Sequence, residues 1–405
     1  MDLDLALPLA PMPIATPNFA VPNADASNPV FQEAVPLELY LCNDCGLLQI
    51  LHVGNPDIQY TNYIYTTSLS AGLIEHFKTY AADVLEQISP DLGSLIVEMG
   101  SNDGTLLRFF KNAGMNVQGV DPALEIAERA TEQGIDTKGA FFGEKIAREI
   151  YETKGAAAIV IANNVIANID DLTDIVVGTR ELLVKDGVFV FETQYGVDVV
   201  EKNLLDTVYH EHLSYFNIKP LKLHFARHGM EVFDVQRIPT KGGSIRVFVQ
   251  KINGPRSLKP IVASMISYEE QMGHYKPEIY LRWQQEINDI RSHLATIVAE
   301  QHAQGRLVGG YGVSVGTTTM MPQFELTKKI DILFDDDPNK DPDLTGPGYS
   351  IPVLPTSAVY DKNPGVIIIF AWRYADMIMA KHQRFIEQGG KFVIPLPELR
   401  LAPVY

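Results

Sequence analysis

Cysteine is almost missing from this chain: Cys42 and Cys45 are the only two among 405 residues. That excludes a disulfide framework and fits a reducing, cytoplasmic setting. Basic residues are also in deficit, 33 Lys and Arg against 50 Asp and Glu, for a net charge of −17. A chain this acidic lacks the basic face that broad nucleic-acid or membrane-surface binding requires. A phosphate-bearing small molecule stays open, because it needs only a few local donors. No apolar run approaches the about 18–20 residues of a membrane span. Residues 1–19 are apolar, but four prolines interrupt them and no basic start precedes them, so they do not read as a secretory signal.

The length allows two or three packed domains. Residues 1–68 are Pro-rich and short on periodicity, which predicts a small irregular N-terminal module. From 69 to 255 the pattern is α/β. A helix is predicted over 70–88, followed by strands over 95–98, 117–120, 157–162 and 187–192, with helices between them. Strands alternating with helices imply a parallel sheet with crossovers. Residues 256–405 open with a helical connector broken near Pro277, then return to α/β with strands over 306–311, 330–334, 365–370 and 391–394.

The densest chemistry is Tyr209-His210-Glu211-His212, inside Leu205-Asp-Thr-Val-Tyr-His-Glu-His-Leu-Ser-Tyr-Phe216. A phenol, a carboxylate and two imidazoles in a row point to an acid–base centre, because proton transfer needs groups that titrate near neutrality beside the substrate. A second signal is the glycine turn Val97-Glu-Met-Gly-Ser-Asn-Asp-Gly-Thr105, placed between a strand and a helix. Gly100 and Gly104 let the backbone turn tightly against a ligand, and Asp121, ending the next strand, can accept from ribose hydroxyls. The third glycine of the dinucleotide fingerprint is lacking. Glu98 and the Asn102-Asp103 pair suit a cationic cofactor such as S-adenosylmethionine better than a pyrophosphate. A second turn, Gly310-Tyr-Gly-Val-Ser-Val-Gly316, precedes Asp335-Asp-Asp337 in the same strand–helix context. Taken alone, it suggests a nicotinamide-dinucleotide domain. Two rival expectations therefore stand beside the first: an oxidoreductase or epimerase acting on a nucleotide sugar, and a non-catalytic binding subunit.

Together these stretches resemble the S-adenosylmethionine-dependent sugar C-methyltransferases of deoxysugar biosynthesis. The resemblance runs in order through Glu98-x-Gly-Ser-Asn-Asp-Gly104, Gly119-Val-Asp-Pro-Ala123, Asn164, Asp170-Asp-Leu172, the Tyr209–Phe216 stretch, Gly242-Gly-Ser-Ile-Arg246 and Gly310-Tyr-Gly312. It implies a small zinc-binding N-terminal module, a Rossmann-like methyltransferase domain and a second, C-terminal Rossmann-like domain. It also implies a nucleotide-linked 4-keto deoxysugar as substrate, methylated on the carbon next to the ketone through an enolate. By resemblance, His212 is the base, while Tyr209 and Glu211 polarise the ketone, relay the proton or orient the base. Tyr63 matches a family tyrosine that reaches the active site. Glu98, Gly100, Asn102, Asp103, Gly104, Asp121, Pro122 and Asn164 are assigned to the cofactor. Asn168, Arg246, Tyr311, Ser314 and Thr317 are assigned to the substrate.

The chain departs from the family at three places. The family's zinc site resembles two Cys-x-x-Cys pairs, whereas only Cys42-Asn-Asp-Cys45 is present, so a partial or vestigial site is expected. Asn168 stands where the family usually has His, and it cannot titrate. Gly316 and the run Thr317–Thr319 stand where many relatives have a lysine, leaving hydroxyls and N–H groups to meet a phosphate.

Overall fold

The computed structural model describes residues 2–14, 34–61, 66–69, 71–337 and 351–403; Tyr63 lies outside them. The N-terminal stretch is more regular than its prolines suggest. Strands β1 (Leu3–Pro13), β2 (Ala34–Cys42) and β3 (Leu48–Ile50) pair antiparallel, and Leu37, Leu39 and Leu41 alternate into a buried face. The prolines are tolerated because β1 is the edge strand, where a missing N–H breaks no second ladder. Register shifts between Leu5 and Leu7 and between Leu9 and Met12 absorb the remaining mismatch.

The central unit follows the predicted alternation. It contains β4 (Leu95–Met99), β5 (Asn116–Asp121), β6 (Thr137–Gly139), β7 (Ala157–Asn163) and β8 (Leu183–Gln194), all parallel. The two-residue β9 (Ser214–Tyr215) belongs elsewhere: it pairs with β3 and completes the N-terminal sheet. β10 (Met230–Ile238) and β11 (Ser244–Lys251) return to the central sheet antiparallel, giving the order β10-β11-β8-β7-β4-β5-β6. β4 lies between β5 and β7, so the sheet reverses direction there. Ligands collect at the carboxyl ends of strands at such a switch point.

The C-terminal unit repeats the plan with β12 (Val308–Tyr311), β13 (Ile332–Asp335), β14 (Val353–Pro355), β15 (Val366–Ile369), β16 (Lys391–Ile394) and β17 (Arg400–Ala402). Their order is β14-β13-β12-β15-β16-β17, with β17 alone antiparallel. The connector is two helices, Pro260–Met272 and Pro277–Ala303, separated at the expected break. Trp283, Ile287, Ile290, Leu294 and Val298 form the inner stripe of the longer helix. They share one apolar core with Leu37–Leu41 of the N-terminal sheet and Leu333 and Ile368 of the C-terminal sheet. Gln323 stitches the same junction: its side chain accepts from Ala10 N–H at 2.8 Å and donates to Ala10 O at 2.8 Å.

Candidate active site

The first glycine turn demands left-handed backbone at three alternate positions: Gly100 at φ 65, Asn102 at φ 49 and Gly104 at φ 73. A Cβ at Gly100 would collide with the Val165 side chain, so the turn passes flush against the loop that follows β7. Asp121 pins the turn from the next strand. Its carboxylate accepts from Asn102 N–H at 2.8 Å and Ala123 N–H at 2.9 Å, and burial raises its pKa. Each carboxylate oxygen retains a lone pair for a hydroxyl. Pro122, half-buried between these partners, contributes a fixed φ and no donor. Glu98, next to last in β4, is almost fully buried, and its Oε2 has no hydrogen-bond partner among the described residues. Burial, with Asp121 and Asp103 nearby, pushes its carboxyl well above the ordinary range. An unpaired buried carboxyl is costly unless a ligand completes it, and an ammonium is the natural complement. The residues present therefore fit the α-ammonium and ribose of S-adenosylmethionine. Asn164, at φ 57, directly follows β7 and donates its N–H to Glu192 O at 2.8 Å.

Asn102 and Asp103, assigned to the cofactor, hold chain instead. Asn102 Oδ1 accepts from Thr67 N–H and Asp103 Oδ2 from Ser68 N–H, both at 2.9 Å. Burial would raise the Asp103 pKa, but these bonds and those from Thr105 outweigh it and lower it. The turn thereby anchors the segment that follows Tyr63.

The tetrad sits where three units meet. Leu213 N–H donates to Ala167 O at 2.7 Å, tying it to the 3-10 turn Ile166–Asn168 of the central unit. β9 ties it to the N-terminal sheet, as does His210, whose Nε2 donates to Pro36 O at 3.0 Å. Thr319 Oγ1 of the C-terminal unit donates to Val208 O at 3.1 Å, and Arg373 pairs with Asp206. A Cβ at Gly316 would lie 3.1 Å from Asp206 O, so glycine is what lets the C-terminal helix Val315–Gln323 approach this segment.

Within the tetrad, His212 Nδ1 donates to Thr207 O at 2.8 Å, which leaves Nε2 as an acceptor facing Tyr209 OH at 2.9 Å. Burial, aided by Lys241 nearby, pushes the His212 pKa down to about 4, so the imidazole is neutral at pH 7. The proton-accepting end of His212 is thus reached through the Tyr209 hydroxyl. Glu211 is buried and its Oε1 has no partner among the described residues; burial pushes it up to about 8, against the lowering effect of Lys241. His210, fully buried and pushed down to about 4 by burial, is structural.

Four residues assigned to the substrate have partners within the protein. Arg246 is buried, its Nε donating to Glu192 Oε1 at 2.8 Å with Asp83 beyond, so it neutralises a core carboxylate. Tyr311 points into the C-terminal core, donating to Asp336 Oδ2 at 2.7 Å beside His382. Thr317 is fully buried and donates to Gly312 O at 2.8 Å within its own turn, while Ser314 caps the same helix. Asn168 lies on the 3-10 turn beneath the tetrad with its Oδ1 unpartnered among the described residues; the next helix is capped by Asp171. Cys42, the last residue of β2, and Cys45, in the turn after it, are free thiols, with burial raising the Cys45 pKa. No group of three or more metal-ligating side chains occurs among the described residues, and His52 stacks edge-on against His210, so the residues present do not complete a zinc centre.

Glu192, His76 and Lys241 were not among the residues assigned to the site from sequence. Glu192 closes β8 and accepts from both Arg246 and His76, the latter at 2.7 Å across 116 positions. Lys241 lies within electrostatic range of Glu211 and His212. Only their late positions in strand and turn could have flagged them.

Residues 73–235 match the family described as Methyltransferase domain, and residues 239–397 match C-methyltransferase C-terminal domain. The chain is 32% identical over 367 residues to the C-methyltransferase NovU of Streptomyces niveus, covering 90% of this chain and 87% of that protein. Among solved structures it resembles the magnesium protoporphyrin IX methyltransferase of Synechocystis with bound SAH at 15% identity, covering 44% of this chain and 84% of that one with a TM-score of 0.35. The CcbJ methyltransferase of Streptomyces caelestis matches at 13% identity, 43% and 89% coverage and a TM-score of 0.34. A buried carboxyl at the switch point, a neutral His–Tyr couple at the junction and a relative alike over nine-tenths of the chain agree: the protein belongs to the C-methyltransferase family and transfers a methyl group from S-adenosylmethionine to carbon.

Proposed function

We propose that the methyl acceptor is the carbon next to the ketone of a nucleotide-linked 4-keto deoxysugar. The observation that carries this reading is the Tyr209–His212 couple. Methylation at carbon needs a carbanion equivalent, and a proton beside a carbonyl is the kind an enzyme base can remove. His212 has one tautomer set by Thr207 O and one lone pair directed at Tyr209 OH. Tyr209 passes its own proton to His212 as it takes the substrate's, so the couple acts as one base. Glu211, held protonated near neutrality, is a donor available to the sugar. S-adenosylmethionine, when bound, supplies an electrophilic methyl on sulfur. The chain's task is to hold donor and acceptor carbon close and in line. The N-terminal sheet, the central unit and the C-terminal unit each contact the segment that carries the couple. With family membership established, the redox and non-catalytic expectations fall away.

The test is product analysis with a thymidine-diphosphate-linked 4-keto-6-deoxyhexose and S-adenosylmethionine. A new methyl carbon bonded to the ring carbon beside the ketone, seen by NMR, is the expected result; methyl on oxygen or nitrogen would sink the reading. His212→Asn is expected to slow turnover about 10²–10⁴-fold while leaving affinity for the demethylated cofactor unchanged.

A further inference from the structure

The basic side chains bordering the tetrad are almost all neutralised. Arg237 and Lys202 pair with Asp198, Arg373 pairs with Asp206, and Arg246 pairs with Glu192 and Asp83. Lys241 differs. Its ammonium has neither an ion-pair nor a hydrogen-bond partner among the described residues. It is solvent-exposed, and the charges of Glu211 in the tetrad, Glu192 on β8 and Arg373 of the C-terminal unit lie within electrostatic range of it. The backbone places it deliberately. Lys241 sits at φ 53, ψ 24, a left-handed conformation uncommon for a residue with a Cβ. Arg373 Nη2 donates to Lys241 O at 3.4 Å, so the C-terminal unit holds this turn against the tetrad segment it also grips through Asp206.

Removal of an α-proton moves an electron pair into the carbon framework and leaves negative charge on the ketone oxygen. A base alone does not finish the step; a donor must meet that oxygen. Tyr209 and His212 are committed to each other, and neither carries positive charge. We propose that Lys241 is the catalytic residue that donates to the substrate's ketone oxygen and stabilises the enolate, an assignment that rests on the ketone substrate above. In the first step the C–H bond breaks, the proton passes to the Tyr209–His212 couple, and the carbonyl electrons move onto oxygen beside the Lys241 ammonium. In the second, the C–CH₃ bond forms, the S–CH₃ pair stays on sulfur, and the C=O bond returns as Lys241 keeps its proton.

The experiment separates this role from binding of the nucleotide's diphosphate. The wild type, Lys241→Asn and Lys241→Arg are compared for deuterium wash-in beside the ketone of a thymidine-diphosphate-linked 4-keto-6-deoxyhexose in D₂O, with the demethylated cofactor bound. Affinity for thymidine diphosphate is measured in parallel. Asn is chosen because it tolerates the left-handed backbone. Exchange and methylation are both expected to fall about 10²–10³-fold in Lys241→Asn. Affinity for thymidine diphosphate should stay within about twofold of wild type, with partial recovery in Lys241→Arg, because an oxyanion donor acts on the transition state and not on the nucleotide. Wild-type exchange in Lys241→Asn overturns the proposal, as does a loss of thymidine diphosphate affinity that matches the loss in kcat/KM with kcat unchanged. A wild type that exchanges nothing refutes the substrate reading itself, and is told apart because no variant is involved.

Discussion

Single side chains here are defined by what burial does to them. Glu211 is the clearest case, because its carboxyl is pushed up to about 8 from an ordinary 4.5. Between those values the folded chain binds more protons at this site than the unfolded chain, so its contribution to stability falls as pH rises through the window. Glu211→Gln removes that slope. Its melting temperature relative to wild type is expected to rise steadily from pH 5 to about pH 8 and then level off. Scanning fluorimetry across that range checks this, and an offset independent of pH would be the contrary outcome. Much of this scale is legible in sequence: Glu98, Gly100 and Asp121 follow from a strand–turn–helix spacing, and the tetrad from its density. The protein partners of Arg246, Tyr311 and Thr317 were not legible, because an arginine, a tyrosine or a threonine beside a glycine turn can face ligand or core with the same local pattern. Lys241 was missed because an unpaired charge is visible only once the partners of its neighbours are known.

At the scale of elements, the parallel strands of both α/β units could be read from their apolar runs, since a strand buried on both faces has few other patterns. β9 could not: two residues carry no periodicity, and its identity depends on β3, far away in sequence. The N-terminal strands were hidden by prolines whose cost vanishes at a sheet edge. The junction between β1 and the C-terminal helix is an element-scale feature with a measurable cost. Gln323→Ala would leave the N–H and C=O of Ala10 without their partner; Gln323 is fully buried, so a loss of about 1–3 kcal/mol is expected. Chemical denaturation measures it, and a change inside about 0.5 kcal/mol would show that the edge strand re-pairs with solvent.

The whole molecule brings three units together around one short segment, the Tyr209–His212 tetrad, where the proposed reaction would take place. Arg373→Met tests that arrangement, because it removes the ion pair that fastens the C-terminal unit to Asp206 just ahead of the tetrad. Turnover is expected to fall several-fold while affinity for the demethylated cofactor holds, since the glycine turn fitted to the cofactor lies in the central unit, whereas Arg373 bonds to Asp206 and Lys241. Calorimetry beside a methylation assay decides it; equal losses in both would mean that the two sites move together. From the amino-acid order came the α/β class, the two switch-point turns, the cofactor's charge and the proton-carrying tetrad, all encoded within a few tens of neighbouring residues. Which of those residues face ligand was left to tertiary packing, as were the tautomer of His212, the pairing of Arg246 with Glu192 and the unpaired ammonium of Lys241. Those properties depend on burial and on charges brought together across long stretches of chain, and local sequence carries no record of either.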